Sequence, residues 1–587
     1  MSSQDPQGHH RRGPLRITVP SRNDAFLRSL VGAIGGPLGR RTEPGVVSPG
    51  FWRVERVLLV IVTVFGLLTV LSKDVCRQNG WGGAQNAFVG MCYSDWTALW
   101  GGRGFAADAW APFTGSSGEP FEYPVLMSAI ASVLSLLVPR SLEPGQQLLA
   151  YFDINTFFAV ALWAVVVLAV AKCSGRRIWD AAIVAASPAM LFALTVNWDM
   201  WAVAMLALGL LALGREHPWL AGILIGLGAA TKLYPALALG ALLVIAIRTG
   251  VYKPFFKVVG GAAAAWLAVN VPFAIAAFDR WWTFYSFSGS RGAGNSSVYQ
   301  AWDLSVGRWF PALQSTPGAI TIIGFGAFAL ACLGILALGI TAPQPPRVAS
   351  LVFLVVAAFV LVGKVYSPQF VLWLVPLAAL AYPRWRALLT WQLFEVAHFV
   401  GIWMYLYMHS GDENANGRFP DELFVLLILG HMVSLGWVCF LVVRSVLRPE
   451  TDPVRRVGLV DPLGGLFAGR DAYPPKARAA LAAPALPGAR HVAPVLVGAG
   501  AGEAPTGPAA VAPWETVGEA PTGPADVVPV ETAGTGAAGA VAPSAEAAAA
   551  ALPGATLPDA AGGQGASLPL AGETERAPGQ GDHPSGS

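Results

Sequence analysis

Three carboxylates and two lysines stand out in this chain because each sits among aromatic and turn-forming neighbours at the edge of an apolar run. Asp95 lies in C-Y-S-D-W (92–96), Glu122 in F-E-Y-P (121–124) and Asp199 in N-W-D (197–199). The lysines open K-L-Y-P (232–235) and K-V-Y-S-P-Q (364–369). A carboxylate can take a proton from an attacking hydroxyl, and partial desolvation can raise its pKa for that task. A lysine at the same depth can hold a phosphate as a point charge and stabilise it as a leaving group. The chain has seven lysines in all, so two Lys-x-Tyr motifs at equivalent positions invite a shared role. Each signal has an ordinary alternative. Lys-x-Tyr is a common membrane anchor, with the amine reaching for water and the ring in the interfacial belt. Asp199 can cap the helix that follows it, and Asp95 can be a solvated turn residue.

The elements that would position these residues are read from composition. The chain is 54% apolar and 12% charged, with a mean hydropathy of +0.54, against about 25% charged residues in soluble domains. A soluble enzyme, a fibrous protein and a wholly disordered chain are excluded. A net charge of +3 argues against a nucleic-acid partner. The expected fold is all-α and polytopic, embedded in a lipid bilayer. Apolar runs lie near 57–72, 149–172, 179–196, 199–214, 218–231, 235–248, 258–277, 317–341, 348–363, 369–382, 387–408 and 421–443, many shorter than the ~20 residues of a perpendicular crossing.

Arginine and lysine fall at every second junction, at Arg176–Arg177, Arg215, Arg248 with Lys253 and Lys257, Arg347, Arg384 with Arg386, and Arg444 with Arg448. Basic residues near span ends stay in the cytoplasm, which predicts about twelve spans with both termini cytoplasmic. The segment 123–138 would break that parity and is expected as an interfacial helix inside a large first external loop. A helix over all of 218–248 would reach about 46 Å at ~1.5 Å per residue, so a short-legged hairpin with Lys232 near the outer side is expected. The domains are an Arg-rich cytoplasmic segment (1–56), a transmembrane domain (57–445) and an Ala/Pro/Gly-rich cytoplasmic tail (446–587). That tail repeats G-E-A-P-T-G-P-A at 502–509 and 518–525 and has too little large apolar content to offset the entropy of ordering. The five cysteines lack metal-site spacing. Cys76 and Cys92 alone fall in an external loop, where an oxidising exterior permits a disulfide; the alternative is two buried free thiols.

Taken in order, the first-loop Asp95, the E-Y-P-x-L segment, the N-x-D tip, K-L-Y-P and the late K-V-Y-S-P-Q-F-x-L-W-L-x-P-L run resemble actinobacterial members of glycosyltransferase family 87 over about residues 20–445. The resemblance implies a GT-C type membrane enzyme that uses a polyprenyl-phosphate sugar, typically mannose, and a cell-envelope glycolipid or glycan acceptor at the outer face of the plasma membrane. It implies Asp95 as catalytic base or acceptor-positioning group, with Glu122 and Asp199 as supporting carboxylates. Lys232 and Lys364 would contact the lipid phosphate, and Tyr123, Tyr234, Tyr366 and Gln369 would line the pocket. The loop 278–316, with Arg291, would cover donor or acceptor. Some family members carry a functional histidine in a later loop, for which His409 is the nearest candidate by topology. No cofactor or metal is expected, although Asp95 with Glu122 or Asp199 could hold an ion. The rival readings are an arabinofuranosyl donor, a lipid-carrier transporter or flippase, and a non-catalytic scaffold.

Overall fold

In a computed structural model of the chain, the described residues are 24–35, 53–116, 121–412, 415, 419–457, 459 and 461–467. Among them the secondary structure is helical throughout, with no strand. Six helices are long and apolar enough to cross a membrane: Val54–Leu71, Pro144–Cys173, Lys253–Ala276, Pro317–Thr341, Trp385–Met408 and Asp421–Leu447. Six shorter apolar helices accompany them: Val125–Leu136, Asp199–Gly214, Pro218–Thr231, Tyr234–Thr249, Val348–Val362 and Pro368–Ala381. Most expected apolar runs therefore form helices, and one does not form a continuous one. The 179–196 run is broken into Gly175–Ala181, Ala182–Ala185 and Pro188–Ala193. Pro188 lacks the donor that would continue the preceding turn. Ser187 restarts the helix by accepting from the Met190 amide at 3.1 Å.

Small residues set the closest helix contact. Gly222 and Gly226 of Pro218–Thr231 face the Lys253–Ala276 backbone so closely that an added Cβ would lie 2.1 Å from the Val258 carbonyl oxygen and 2.3 Å from that of Ala262. With apolar lipid outside, such backbone approach rather than hydrophobic exclusion holds helices together. The 218–248 stretch is indeed interrupted. Lys232 adopts an extended conformation (φ −156°, ψ 134°) that ends the first helix. The two halves then choose different partners: Pro218–Thr231 packs on Asp199–Gly214 and Lys253–Ala276, and Leu237–Thr249 on Val348–Val362 and Pro317–Thr341.

Most charged residues lie toward two opposite ends of the bundle. At one end, Arg347 pairs with Asp452 at 2.7 Å, Arg177 pairs with Asp180 at 2.7 Å and donates to the Pro453 carbonyl, and Arg248 donates to the Ala342 carbonyl. Residues 449–457, 459 and 461–467 fold back onto this basic end. Asp461 accepts from the Val348 amide at 2.9 Å, and Leu463 and Phe467 are buried. The packed chain thus continues past residue 445, where composition placed its end, because this stretch supplies the carboxylates that neutralise Arg347. Burial of Asp180 pushes its carboxyl up to about 6, against the opposing pull of Arg177. An N-terminal helix, Ala25–Gly35, lies within the Arg-rich segment 1–56. Asp24 caps it at the Phe26 amide (3.0 Å). The expected tail beyond residue 467, with its repeat, lies outside the described residues.

The opposite end carries the first loop. It holds the short helices Asp74–Asn79, Asp95–Gly102 and Ala111–Thr114, followed by the twelve-residue Val125–Leu136 helix. Cys76 and Cys92 are joined by a disulfide, with Cα atoms 6.2 Å apart. Lys73, buried just beyond the first long helix, donates to the Met91 carbonyl at 2.6 Å. Two cross-links therefore hold the segment that leads into Asp95.

Candidate functional site

Asp95 opens its short helix, with Ser94 as the capping residue and the Asp95 amide donating to the Val196 carbonyl at 2.7 Å. Its carboxylate accepts from two phenols, Tyr123 at 2.6 Å and Tyr93 at 3.0 Å. Burial pushes its pKa upward, while the two hydroxyls and Lys232 pull it down and Asp199 adds to the rise. This half-buried group is no solvated turn residue. It is a carboxylate oriented from both sides, with its basicity raised by its surroundings.

The other two carboxylates are engaged by cations. Glu122 is held by a two-pronged contact from Arg103, whose Nε lies 3.2 Å from Oε2 and whose terminal nitrogen bonds Oε1. Asp199 is fully buried, accepts from the Trp373 indole at 2.8 Å and forms an ion pair with Lys232 at 2.8 Å. The Asn197 side chain accepts from the Asp199 amide, which explains the N-x-D spacing at a helix start. The Lys232 ammonium also sits 5.1 Å from the centre of the Tyr123 ring, linking the Asp199 pair to the Asp95 cluster. Tyr234 stacks face to face on Trp373 at 4.1 Å beneath this pair.

Two further cations approach from the later loops. Arg291 follows the helix Phe278–Ser290; burial lowers its pKa, against the opposing pull of the Asp95 and Glu122 charges. Lys364 donates to the Gly289 carbonyl at 2.8 Å and to the Thr321 hydroxyl at 3.2 Å. Its pKa is lowered by desolvation and by the charge of Arg291. The Gly294 amide donates to the Lys364 carbonyl at 2.8 Å, which ties the two cation-bearing loops together. No carboxylate pairs with Arg291 or Lys364 among the described residues.

Beside Tyr123 opens a cleft of about 280 Å³. Tyr123, Pro124 and Ser128 form one wall, and Asn270, Trp281 and Tyr285 form another. Arg280 closes its rim by donating to the Phe113 carbonyl. The Phe278–Ser290 helix has no buried residue and exposes Phe278 and Trp282, the pattern of an interfacial aromatic face.

The structure thus brings Asp95, Glu122, Tyr123, Asp199, Lys232, Tyr234, Arg291 and Lys364 to one end of the bundle. Three more residues singled out from sequence are not hydrogen-bonded into this cluster. The Tyr366 hydroxyl turns away to Glu395 at 2.7 Å. Gln369 is buried with its carbonyl oxygen unpartnered. His409 is half exposed, 2.9 Å from the Tyr405 carbonyl and 3.9 Å from Asp421. Sequence reading missed Tyr93 and Arg103. Tyr93 lay within the quoted C-Y-S-D-W run, two residues from Asp95 and therefore legible as its neighbour. Arg103 carried no signal, since its pairing with Glu122 depends on the fold of the loop.

Residues 121–363 match the model of glycosyltransferase family 87. The matched stretch contains Glu122, Tyr123, Asp199, Lys232, Tyr234 and Arg291; Asp95 precedes it and Lys364 follows it directly. No curated protein matches the chain.

Proposed function

We propose that this chain, a membrane glycosyltransferase of family 87, moves a sugar, mannose in the first instance, from a polyprenyl-phosphate donor to a cell-envelope glycolipid or glycan. The acceptor hydroxyl attacks the anomeric carbon, its proton passes to the Asp95 carboxylate, and the bond from that carbon to the phosphate oxygen breaks with its electron pair. The observation that carries this reading is the Asp95 carboxylate fixed between Tyr123 and Tyr93. A base must be oriented and raised in pKa, and departing phosphate must meet positive charge. Arg291 and Lys364 supply that charge, and Lys232 acts mainly by neutralising Asp199. The aromatic-walled cleft beside Tyr123 suits the lipid-linked sugar or its acceptor.

The site end is taken as the outer face of the plasma membrane and the basic end as the cytoplasmic face, in keeping with the distribution of arginine. On this reading the chain would follow a GT-C-like path of about twelve passes, the six long apolar helices joined by shorter ones. The test is purified full-length protein with labelled polyprenyl-phosphate mannose and, in parallel, polyprenyl-phosphate arabinofuranose. Transfer or slow hydrolysis that Asp95→Asn abolishes supports the reading and identifies the sugar. Movement of the intact lipid across a vesicle membrane without bond cleavage indicates a transporter and overturns it.

A further inference from the structure

Away from the site end, the middles of the last two long helices carry ionisable residues that glycosyl transfer does not use. Glu395 and His398 lie one turn apart on Trp385–Met408, and His431 lies on Asp421–Leu447, which packs against it. All three are buried, both histidines completely. One ligand-capable atom from each residue falls within 4.8 Å of the other two. The imidazole rings are 4.1 Å apart, and all four of their nitrogens lack a hydrogen-bond partner. Leaving a buried polar group unsatisfied costs about 1–3 kcal/mol, and ionisable side chains are rare at membrane depth unless they act there. His431 Nδ1 lies 3.8 Å from the Glu395 carboxylate, too far for a hydrogen bond, and two adjacent imidazoles with no hydrogen-bond partner suit an occupant that accepts nitrogen lone pairs.

We propose that Glu395, His398 and His431 form an intramembrane site for a divalent first-row transition metal, zinc(II) by preference. Imidazole nitrogens and one carboxylate are the usual donors for such ions, whereas magnesium and calcium favour all-oxygen shells. The spacing Glu395-x-x-His398 puts two donors on one helix face, as bundle metal sites require. Zinc–ligand bonds of about 2.0–2.2 Å place tetrahedral donors roughly 3.4 Å apart, so the three groups close by about an ångström through side-chain rotation. The carboxylate is already oriented. Its Oε1 accepts from the Trp391 indole at 2.8 Å and its Oε2 from the Tyr366 hydroxyl at 2.7 Å. Such partners fix a ligand and raise its affinity. A positive ion also compensates the Glu395 charge in a medium where an uncompensated carboxylate is costly. Through Tyr366, the ion would brace the segment that carries Lys364 and Gln369.

The experiment uses the full chain purified in detergent without chelator and without a histidine tag. Elemental analysis after equilibration with micromolar zinc(II), and separately with manganese(II) and iron(II), is expected to find about one zinc per chain. The same measurement on folded Glu395→Gln and His431→Ala should find at least tenfold less. If those variants do not fold, X-ray absorption of the zinc-loaded wild type decides, because the site requires two imidazole scatterers. Wild-type protein that takes up none of the three metals would overturn the proposal. So would metal retained at full occupancy in the folded variants, or an absorption spectrum without imidazole.

Discussion

Lys232 offers a direct contest between two roles, a phosphate contact and a counter-ion. In the structure its ammonium is 2.8 Å from the Asp199 carboxylate, which is wholly buried and otherwise accepts one indole N–H from Trp373. Lys232→Ala leaves that carboxylate uncompensated. Removing one partner of a buried pair typically costs about 3–5 kcal/mol, and the low exposure of Asp199 places this case toward the upper end. Replacing both charges with neutral groups of similar shape should recover most of that loss, because the desolvation penalty vanishes with the charge. The assay is reversible unfolding of the full chain in bicelles, measured for Lys232→Ala, Asp199→Asn and the double variant Lys232→Met/Asp199→Asn. The expected pattern is a large loss for the lysine change and near recovery in the double variant. Donor KM is measured alongside. A Lys232→Ala protein of unchanged stability, with donor KM raised tenfold or more, would refute the counter-ion argument and return Lys232 to the phosphate.

Asp95→Asn should lower turnover by ~10²–10⁴, the usual cost of losing a positioned base, with folding unchanged by circular dichroism; retention of more than a tenth of the rate contradicts the role. Because burial raises the Asp95 pKa, activity should fall with decreasing pH along a limb centred above the ~3.9 of an ordinary aspartate. Tyr123→Phe removes a hydrogen bond that lowers this pKa, so the limb should move to higher pH; a shift the other way would contradict the assignment. Replacing Cys76 and Cys92 by serine should cost roughly 3 kcal/mol for a loop of this length and reduce transfer by loosening the segment before Asp95. Non-reducing digestion and mass spectrometry check the bond itself, and alkylation of both thiols without prior reduction would remove it. Cysteines at Glu143 and Glu422, exposed at the site end, should react with an impermeant thiol reagent in sealed cells, while those at His217 and Glu450 should not.

The helical character of the chain was legible because apolar runs in lipid leave the backbone no other satisfied conformation. Boundaries were less legible where the reason for a break is tertiary. Ser187–Pro188 interrupts a run that reads as continuous, and the hydroxyl that restarts it is held by Gln392, far away in sequence. The glycines that seat Pro218–Thr231 against Lys253–Ala276 do stand in the sequence as G-I-L-I-G, a small-residue spacing with a packing meaning. At the site, carboxylates and lysines were visible because charge beside apolar runs is conspicuous. Their pairings were not, since Arg103 with Glu122 and Lys232 with Asp199 are choices made by loop geometry. Tyr366 shows the limit most sharply. Its motif parallels the one around Tyr234, yet its hydroxyl serves Glu395 in the bundle interior. Glu395, His398 and His431 were equally plain as letters, but nothing in the linear order says that two helices bring them together.

These pairings also determine how the site can receive an anion. Within the cluster, Arg103 is consumed by Glu122 and Lys232 by Asp199. What remains is one carboxylate, Asp95, with the two cations Arg291 and Lys364 acting on one another and Arg291 on Asp95. That remainder carries one surplus positive charge, suited to a sugar phosphodiester bearing one negative charge. In the proposed reaction the phosphate gains negative charge as the sugar leaves, at the moment Asp95 loses its own by protonation. The net charge of the filled site is therefore conserved through the step, so a partly desolvated pocket need not stabilise a new net charge. Paired carboxylates at Glu122 and Asp199 are essential to that balance, since releasing either would cancel the surplus that draws the donor in. Arg103→Ala, which frees Glu122, should thus weaken donor binding although Arg103 lies behind the site. Arg103→Ala/Glu122→Gln should restore it. Donor KM in the two proteins decides between this electrostatic role and a purely structural one, for which both variants would be equally impaired.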